Sequence, residues 1–529
     1  MKNNFGAIAI FLIGIIGVVF AYLVNDGLPG DLNDARFNMY VLEHFYLSLT
    51  GQTGGFLDAS FFYPLSKVIL FSDNHWGTGL IYSYFRFFDA EPIEAFSFWF
   101  LVGFILNYWS AFYVLRKLEL SQLAAAMGAF LFTFALPVIA QDGHCQLIYR
   151  PFVPLAFLAF HYYTKSKNFY HLAVVALMVS LQFLISVYSG MFLVFFLIAL
   201  AVVELFLVSP NKMKNLLPRE FSWTRSIPIL ITAGLLLLLF AIPYFQVKNL
   251  YHLGRSFFEI SLMLPRIQSY FLADRSNLWF ADSAIFSQLP ARWEHQMFIG
   301  IGAFLALLFL YLRKGLIEKK SLAQKYGYAL LLMIFATLSV NGFTLYILPL
   351  LTIPGVSSLR SVSREILVML FPISYLVAFS IDKIRQTNFV NLSSAAITSI
   401  ICFLIIIDPI FADKSISPIK EWRERIENLR TKINQPIDQS SILVVLASKV
   451  TDEIDAMLLA QKLNIKTING YSGNFPRPGW YLIDTCDKAK ARLEDVEGIM
   501  QKTKQEFALD RSKIVAVGFS KKCDFTTSR

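Results

Sequence analysis

Long apolar segments recur along the whole chain, and they constrain its fold more than any other feature. The first runs from Phe5 to Val24. Further runs lie at 95–115, 121–140, 150–163, 169–187, 189–208, 227–245, 296–312, 326–341, 364–381 and 390–408. An α-helix needs about 20 apolar residues to cross the hydrocarbon core of a bilayer. The pattern therefore predicts a polytopic α-helical membrane protein with about eleven transmembrane helices.

The composition excludes an ordinary soluble protein. Apolar residues make up 56% of the chain and charged residues only 16%, whereas soluble domains carry about a quarter charged residues. The net charge of +10 does not indicate nucleic-acid binding, because the basic residues fall mostly in short loops between apolar runs rather than on one stripe.

These basic residues predict the orientation of the chain. With the N-terminus inside, the short inner loops hold about sixteen Lys and Arg, including Arg116, Lys117, Lys319 and Lys320, against about eleven in the much longer outer loops between spans, which is the bias of the positive-inside rule. The long segments then lie outside, and function is expected there. They are a first outer loop at 25–94, a second at 246–294, a segment at 342–363, and the part of the chain after residue 410.

The tail after Asp408-Pro409 has a different character, because charged and apolar residues alternate in short blocks. Its pattern predicts a small α/β domain over 411–529, after a transmembrane module at 1–410. The expected elements are helix Glu421–Ile433, strand Ile442–Ala447, helix Asp452–Leu463, helix Cys486–Phe507 and strand Ile514–Gly518. Whether Cys486 and Cys523 form a disulfide is left open.

The first outer loop carries the densest group of polar residues. Apolar side chains at helical spacing predict a helix from Asp34 to about Thr50, lying along the membrane surface. Its beginning would hold Asp31 and Asp34 near the water boundary.

The apolar runs themselves are almost free of charge, which argues against an ion-coupled transporter. Ionisable residues concentrate instead at the outer face: Asp31, Asp34, Glu43, His44, Asp73, His75, His144, Arg150, Arg360 and Arg364. A carboxylate there can act as a general base, and an arginine can bind phosphate through parallel donors. This combination suits sugar transfer from a lipid phosphate.

Each of these residues also has a structural explanation. Asp34 can be a helix cap and Asp31 a turn residue. Glu43 and His44 can form a solvated face, His144 can be an interfacial polar group, and the arginines can bind lipid headgroups.

Several short motifs in the chain resemble those of a known class of proteins. They are Gly30-Asp31-Leu32-Asn33-Asp34-Ala35-Arg36-Phe37, Leu42-Glu43-His44, Phe62-Tyr63-Pro64, Ser72-Asp73-Asn74, His144-Cys145-Gln146-Leu147, Ser186-Val187-Tyr188-Ser189-Gly190-Met191, Pro354-Gly355 to Arg364, and Asn469-Gly470-Tyr471-Ser472-Gly473. Together with the layout, they resemble an uncharacterised bacterial group within the GT-C class of integral membrane glycosyltransferases. That class includes protein mannosyltransferases and lipid A aminoarabinose transferases.

The resemblance implies a polyprenyl-phosphate sugar donor and an extracytoplasmic acceptor, which is a glycan, a lipid or a protein. It implies a bacterial inner-membrane enzyme with a cytoplasmic N-terminus and an extracytoplasmic C-terminal domain. By position, the catalytic carboxylate is Asp34 or Asp31, with Asp34 favoured.

The remaining outer-face residues receive roles on this hypothesis. Arg150, Arg360 and Arg364 are assigned to the donor phosphate, and the chemistry is a single displacement with inversion. Substrate binding is assigned to Glu43, His44, Asp73, His75 and His144. No cofactor is assigned, and a divalent metal is left open because the second outer loop has no clear D-x-D motif. Two alternatives remain, a flippase or transporter of lipid-linked saccharides and a non-catalytic membrane scaffold.

Overall fold

The computed structural model describes residues 4–24, 26–208, 217–279, 284–313, 315–387, 393–477, 479–504, 509–520 and 523–525. Most of these residues are helical. The α-helices are α1 (Phe5–Gly14), α2 (Phe20–Leu23), α3 (Asp34–Leu49), α4 (Trp76–Phe87), α5 (Pro92–Lys117), α6 (Gln122–Phe134), α7 (Leu136–Ile139), α8 (Phe152–Ser166), α9 (Phe169–Ile185), α10 (Val187–Val203), α11 (Trp223–Tyr251), α12 (Phe257–Leu262), α13 (Ala284–Ser287), α14 (Ile301–Leu312), α15 (Leu322–Thr337), α16 (Ile347–Thr352), α17 (Ile366–Gln386), α18 (Ser394–Phe411), α19 (Ile419–Thr431), α20 (Val450–Leu463) and α21 (Cys486–Lys502). The strands are β1 (Gly27–Pro29), β2 (Ile416–Pro418), β3 (Ile442–Val445), β4 (Lys466–Thr467) and β5 (Ile514–Val517).

The chain is a multi-pass membrane protein. Within the described ranges, seven helical stretches are long and apolar enough to cross a membrane: Phe5–Leu23, Pro92–Lys117, Gln122–Ile139, Val187–Phe206, Trp223–Tyr251, Val362–Gln386 and Ser394–Phe411. Shorter apolar helices, α9 and α14, coincide with two more of the predicted runs, and α8 and α15 overlap the remaining two. Residues 390–392 of the last predicted run lie outside the described residues. The count of eleven crossings stays a prediction.

The helices α6 and α17 lie at the centre of the bundle, where they pack against each other and α6 also packs against α5. Most residues of both helices are buried, whereas α11 is exposed along most of its length. An exposed apolar helix of this length suits contact with lipid tails.

A two-stranded antiparallel sheet joins the first outer loop to the chain after α18. In it, Leu28 of β1 pairs with Ser417 of β2. The turn that carries Asp31 begins directly after β1, so this pairing fixes where α3 starts. From there α3 packs against α4 on one side and α20 on another.

The tail contains a three-stranded sheet in the order β4-β3-β5, and both of its strand pairs are parallel. The helices α19, α20 and α21 and the strands β3 and β5 match the predicted elements within a few residues. The third helix ends at Lys502, and residues 505–507 of its predicted range lie outside the described residues. Cys486 and Cys523 form a disulfide. Met457 of α20 and Val496 of α21 belong to the same buried core as the membrane helices.

Close packing of α14 against α18 generates a testable prediction. A β-carbon at Gly302 would lie 2.6 Å from the backbone nitrogen of Ile405 and 2.9 Å from the carbonyl oxygen of Ile401. Because backbone atoms cannot move aside as a side chain can, we expect Gly302→Ala to force the helices apart and to cost about 1–3 kcal/mol. Thermal unfolding of the purified protein in detergent measures the loss.

The matched control is Gly234→Ala, which makes the same change in the apolar helix α11. An added β-carbon at Gly234 meets no atom within 4 Å. Its unfolding temperature should equal that of the wild type or exceed it slightly. Equal losses in the two variants would contradict the packing argument.

Candidate active site

Asp31 forms the turn that precedes α3. Its Oδ1 accepts hydrogen bonds from the backbone nitrogens of Asn33, at 2.9 Å, and Asp34, at 3.2 Å, and its Oδ2 accepts from the Asn33 side chain at 2.8 Å. Both oxygens of this exposed carboxylate are therefore used by local donors, as in an Asx-turn. Asp31 therefore caps the start of α3, a role that the sequence analysis had considered for Asp34.

The turn lies directly against the loop that carries His144. Gly30 has a φ of +79°, and a β-carbon there would come within 2.7 Å of the Gly143 α-carbon. Only glycine meets both requirements, a left-handed backbone and this close approach. The contact brings Asp34 and His144 together.

Asp34 is the first residue of α3, and its carboxylate contacts two other parts of the chain. Its Oδ1 accepts a hydrogen bond from the Tyr471 hydroxyl at 2.7 Å. Its Oδ2 lies 3.2 Å from Nε2 of His144, and the Asp34 side chain is 31% exposed. The carboxylate is therefore held in place and still reachable from solvent.

A buried ion pair lies behind His144. Arg364 donates from Nε and Nη2 to the two carboxylate oxygens of Glu294, at 2.9 Å and 2.7 Å. Its Nη2 also lies 2.7 Å from Nε2 of His144. Burial alone would raise the pKa of Glu294, but the charge of Arg364 outweighs it and holds that pKa well below its usual range. The pair is thus fully ionised at neutral pH.

This pair determines the state of His144. Because a guanidinium can only donate, Nε2 of His144 accepts from Arg364 and the ring proton is on Nδ1. Burial and the charge of Arg364 both lower the pKa of His144, so the ring is neutral near pH 7. Nε2 then has no proton to give to Asp34, and Oδ2 of Asp34 has no hydrogen-bond donor among the described residues.

Tyr188 organises the arginines beside this carboxylate. Its hydroxyl accepts hydrogen bonds from the backbone nitrogens of Arg360 and Ser361, at 3.1 Å and 3.4 Å. The Arg364 guanidinium lies 4.9 Å from the centre of the Tyr188 ring. In the part of the chain that the structure describes, no residue forms a hydrogen bond or ion pair with the Arg360 guanidinium. The charge of Arg360 contributes to the lowered pKa of His144.

Arg150 does not join this group, contrary to its predicted role at the donor phosphate. It is fully buried, and its guanidinium donates to the carbonyl oxygens of Leu367, Phe132 and Ile148, at 2.8, 3.1 and 3.4 Å. All three of its nitrogens are used to join segments of the helical bundle. This placement gives Arg150 a structural role.

Two polar residues predicted to bind substrate lie inside α3 and are already paired. Glu43 accepts hydrogen bonds from Nε and Nη2 of Arg86, at 2.9 Å and 3.1 Å, and from the Tyr82 hydroxyl at 2.6 Å. His44 Nε2 lies 3.0 Å from the carbonyl oxygen of Gly55, and burial lowers the pKa of His44 to about 4.

Asp73 and His75 are buried in the same way. Asp73 accepts from the backbone nitrogen of Val187 at 2.8 Å, so it caps the start of α10, and burial raises its pKa. His75 bonds to the side chain of Asn38 at 2.7 Å. Of the five residues assigned to substrate binding, the structure brings only His144 to Asp34.

A cavity of about 700 Å³ opens elsewhere, between α3, the start of α5, and helices α19 and α20. Its lining includes Glu43, Trp422 and Gln461 but not Asp34. Glu43 follows Asp34 by about two and a half turns of α3, which places the two side chains on opposite faces of the helix. The cavity is therefore separate from the candidate site.

The sequence left a divalent metal open. The described residues contain no group of three or more His, Cys, Asp and Glu side chains that could hold one. The Arg364 guanidinium lies between Glu294 and His144 and bonds to both.

The sequence-based assignment missed three residues of this site. Tyr188 and Tyr471 were present only within motif strings, and Glu294 was assigned no role.

The chain belongs to the family described as Domain of unknown function (DUF6311), whose model matches residues 8–407. No curated protein matches it. Among solved structures it is similar to the arabinofuranosyltransferase AftD from Mycobacteria, with 11% identity, a TM-score of 0.48, and coverage of 84% of this chain and 30% of AftD. It is similar to the oligosaccharyltransferase AglB from Archaeoglobus fulgidus in complex with an inhibitory peptide and a dolichol-phosphate, with 12% identity, a TM-score of 0.45, and coverage of 93% and 68%. ArnT from Cupriavidus metallidurans bound to undecaprenyl phosphate gives 10% identity, a TM-score of 0.42, and coverage of 88% and 90%.

The buried ion pair leads to a second prediction. Glu294→Gln leaves the Arg364 charge buried without a counter-charge, which we expect to cost about 3 kcal/mol or more. The native pKa of Glu294 is lowered, so the pair stabilises the fold above the pKa of an unfolded glutamate and loses that effect only in acid. The loss in free energy of unfolding relative to the wild type should be largest at pH 7 and should become smaller below about pH 4.

Thermal unfolding across this pH range provides the measurement. The control is Glu424→Gln, which breaks a pair with Lys420 whose side chains are 81% and 57% exposed. Such a pair contributes little, so the control should unfold near the wild-type temperature. A Glu294→Gln protein as stable as this control would refute the role of the pair.

Proposed function

We propose that this protein is a membrane glycosyltransferase that moves a sugar from a polyprenyl-phosphate donor to an extracytoplasmic acceptor. The observation that carries the proposal is the environment of Asp34. One of its oxygens has no donor among the described residues, and the charge of Arg360, whose guanidinium pairs with none of these residues, lowers the pKa of the neighbouring His144. Phosphate-linked sugar transfer requires a carboxylate that can accept a proton and a cation that is free to bind the phosphate.

Asp34 is the general base in this proposal. Its Oδ1 is occupied by Tyr471, and its Oδ2 faces the neutral His144 at 3.2 Å. An acceptor hydroxyl can donate to Oδ2 without displacing a protein donor. Asp31 has no such free oxygen, which favours Asp34 as the catalytic residue.

Arg360 is the donor-phosphate ligand. Its guanidinium forms no ion pair with a described residue, and a guanidinium can bind two phosphate oxygens in parallel. Arg364 instead stays bound to Glu294 and holds His144 in its neutral form. This revises the sequence-based assignment, which gave the phosphate to Arg150, Arg360 and Arg364 together.

The reaction is a single displacement with inversion. The acceptor oxygen attacks the anomeric carbon while its proton moves to Oδ2 of Asp34. The bond between the anomeric carbon and the phosphate oxygen breaks, and the electron pair leaves with the polyprenyl phosphate. Arg360 stabilises the negative charge that develops there. The protein's own residues carry each step, and none is assigned to a metal.

The cellular arrangement follows from the same proposal. Residues 1–410 form the catalytic membrane module, with about eleven spans and a cytoplasmic N-terminus in a bacterial inner membrane. Residues 411–529 form an extracytoplasmic domain. The Cys486–Cys523 disulfide supports this orientation, because disulfides persist in oxidising compartments outside the cytoplasm.

The base assignment is tested with Asp34→Asn. An amide cannot take the acceptor proton, so we expect transfer to fall by about 100-fold or more. The assay uses purified protein in lipid nanodiscs with synthetic polyprenyl-phosphate hexoses and pentoses, with glycan acceptors or water. It measures the polyprenyl phosphate released.

Asp31→Asn is the matched control, since an asparagine oxygen can still accept the turn hydrogen bonds. It should keep activity within a few-fold of the wild type. Unchanged transfer by Asp34→Asn would refute the base assignment. Movement of intact lipid-linked saccharide across vesicles without sugar release would favour the transporter, and absence of donor binding would favour the scaffold.

The phosphate assignment is tested with Arg360→Gln. Loss of one charge-assisted contact should weaken the binding of undecaprenyl phosphate by about tenfold or more, measured by titration in nanodiscs. The control is Arg430→Gln, because Arg430 lies on α19 with its side chain 54% exposed. Equal affinity of Arg360→Gln and the wild type would remove Arg360 from the site.

A further inference from the structure

One short stretch of the tail reaches across to the first outer loop. It comprises residues Asn469–Asn474 and is named the strap. At its beginning, the carbonyl oxygen of Asn469 accepts from the backbone nitrogen of Phe62 at 3.1 Å, and at its end the backbone nitrogen of Asn474 donates to the carbonyl oxygen of Phe71 at 2.8 Å. The strap is therefore anchored to the loop at both ends.

Further contacts hold the middle of the strap. A β-carbon at Gly470 would lie 2.2 Å from the ring of Phe62, so the strap lies directly on that buried ring. The Arg255 guanidinium donates to the carbonyl oxygen of Gly473. These anchors on two outer loops leave the strap little freedom to move.

Tyr471 is at the centre of the strap and points at Asp34. Its hydroxyl donates to Oδ1 at 2.7 Å. The edge of its ring meets Phe37 of α3 at a centroid distance of 5.7 Å, and its backbone nitrogen lies 3.1 Å from the Met457 sulfur. The direction of the hydroxyl is thus fixed by packing rather than by the hydrogen bond alone.

We propose that Tyr471 is a positioning residue that orients the Asp34 carboxylate for proton transfer, so that the tail completes the active site. This inference rests on the proposed function and extends it. The strap lies beyond residues 8–407, the region matched by the family model. A membrane module that ended there would have Asp34 without its Oδ1 partner.

The chemistry explains why a tyrosine suits this place. A bond to Oδ1 fixes the carboxylate plane and presents Oδ2 to the acceptor, and it also stabilises the ionised carboxylate. Burial and the neighbouring charge of Asp34 raise the pKa of Tyr471 well above its ordinary value. Tyr471 therefore keeps its proton throughout, while the acceptor proton goes to Oδ2 of Asp34.

The test is Tyr471→Phe, which keeps the ring and removes only the hydroxyl. We expect kcat to fall about tenfold with little change in the KM for a polyprenyl-phosphate sugar. The acid limb of the pH–rate profile should move to higher pH, because the ionised carboxylate loses a donor. Asn474→Ala removes a side-chain hydrogen bond of 2.9 Å to the Phe71 carbonyl. It should lower kcat and move the acid limb to higher pH, as Tyr471→Phe does, but by smaller amounts.

Tyr481→Phe is the control, since it makes the same change on a tail side chain that is 64% exposed. Infrared difference spectroscopy gives a second readout that needs no substrate. The carboxylate band missing in Asp34→Asn should titrate at higher pH in Tyr471→Phe than in the wild type and in Tyr481→Phe.

The outcomes separate this inference from the proposed function. Active wild-type enzyme with equal rates, pH profiles and band titrations in Tyr471→Phe would overturn the role of Tyr471 and leave the function intact. A wild-type protein that transfers from no donor would overturn both. Slower transfer with an unshifted profile and an unshifted band would also reject the positioning role, because loss of packing alone produces that pattern.

Discussion

The buried pair of Arg364 and Glu294 is the contact on which the candidate site depends. Two charges can stay buried only when each is neutralised and hydrogen-bonded by the other, and the two-pronged geometry meets that condition. The pair fixes where Arg364 points, and this in turn makes Nε2 of His144 an acceptor. A neutral His144 leaves Oδ2 of Asp34 without a protein donor. The reactivity proposed for Asp34 is therefore a consequence of an ion pair it does not contact.

Two neighbouring aspartates divide the work at the start of α3. Asp31 supplies the oxygens that the turn and the first helical backbone nitrogens need. Asp34, which would otherwise be required as a cap, is released to contact Tyr471 and His144. Local backbone demands thus decide which carboxylate is free, and the close approach of Gly30 to Gly143 decides what it faces.

The polar residues of the first outer loop show what the sequence alone could not decide about the site. Hydrogen bonds to partners inside the fold already engage Glu43, His44, Asp73 and His75, and Arg150 as well. A loop packed between helices and a tail buries many polar groups, and buried polar groups must be paired. From the sequence alone, a residue that pairs with a buried polar group cannot be distinguished from one that binds a substrate.

Hydrophobicity along the chain was enough to locate the seven helical stretches that are long enough to span a membrane, because the cost of placing a residue in lipid depends on that residue and its near neighbours. The same local patterns located α3, the tail helices α19, α20 and α21, and the strands β3 and β5. Which side chains contact each other in the site was determined only by the tertiary structure. Tyr471 and Asp34 are 437 positions apart, and Arg364 and His144 are 220 apart. Contacts over such separations arise from the packing of whole helices and loops, and no local pattern encodes them.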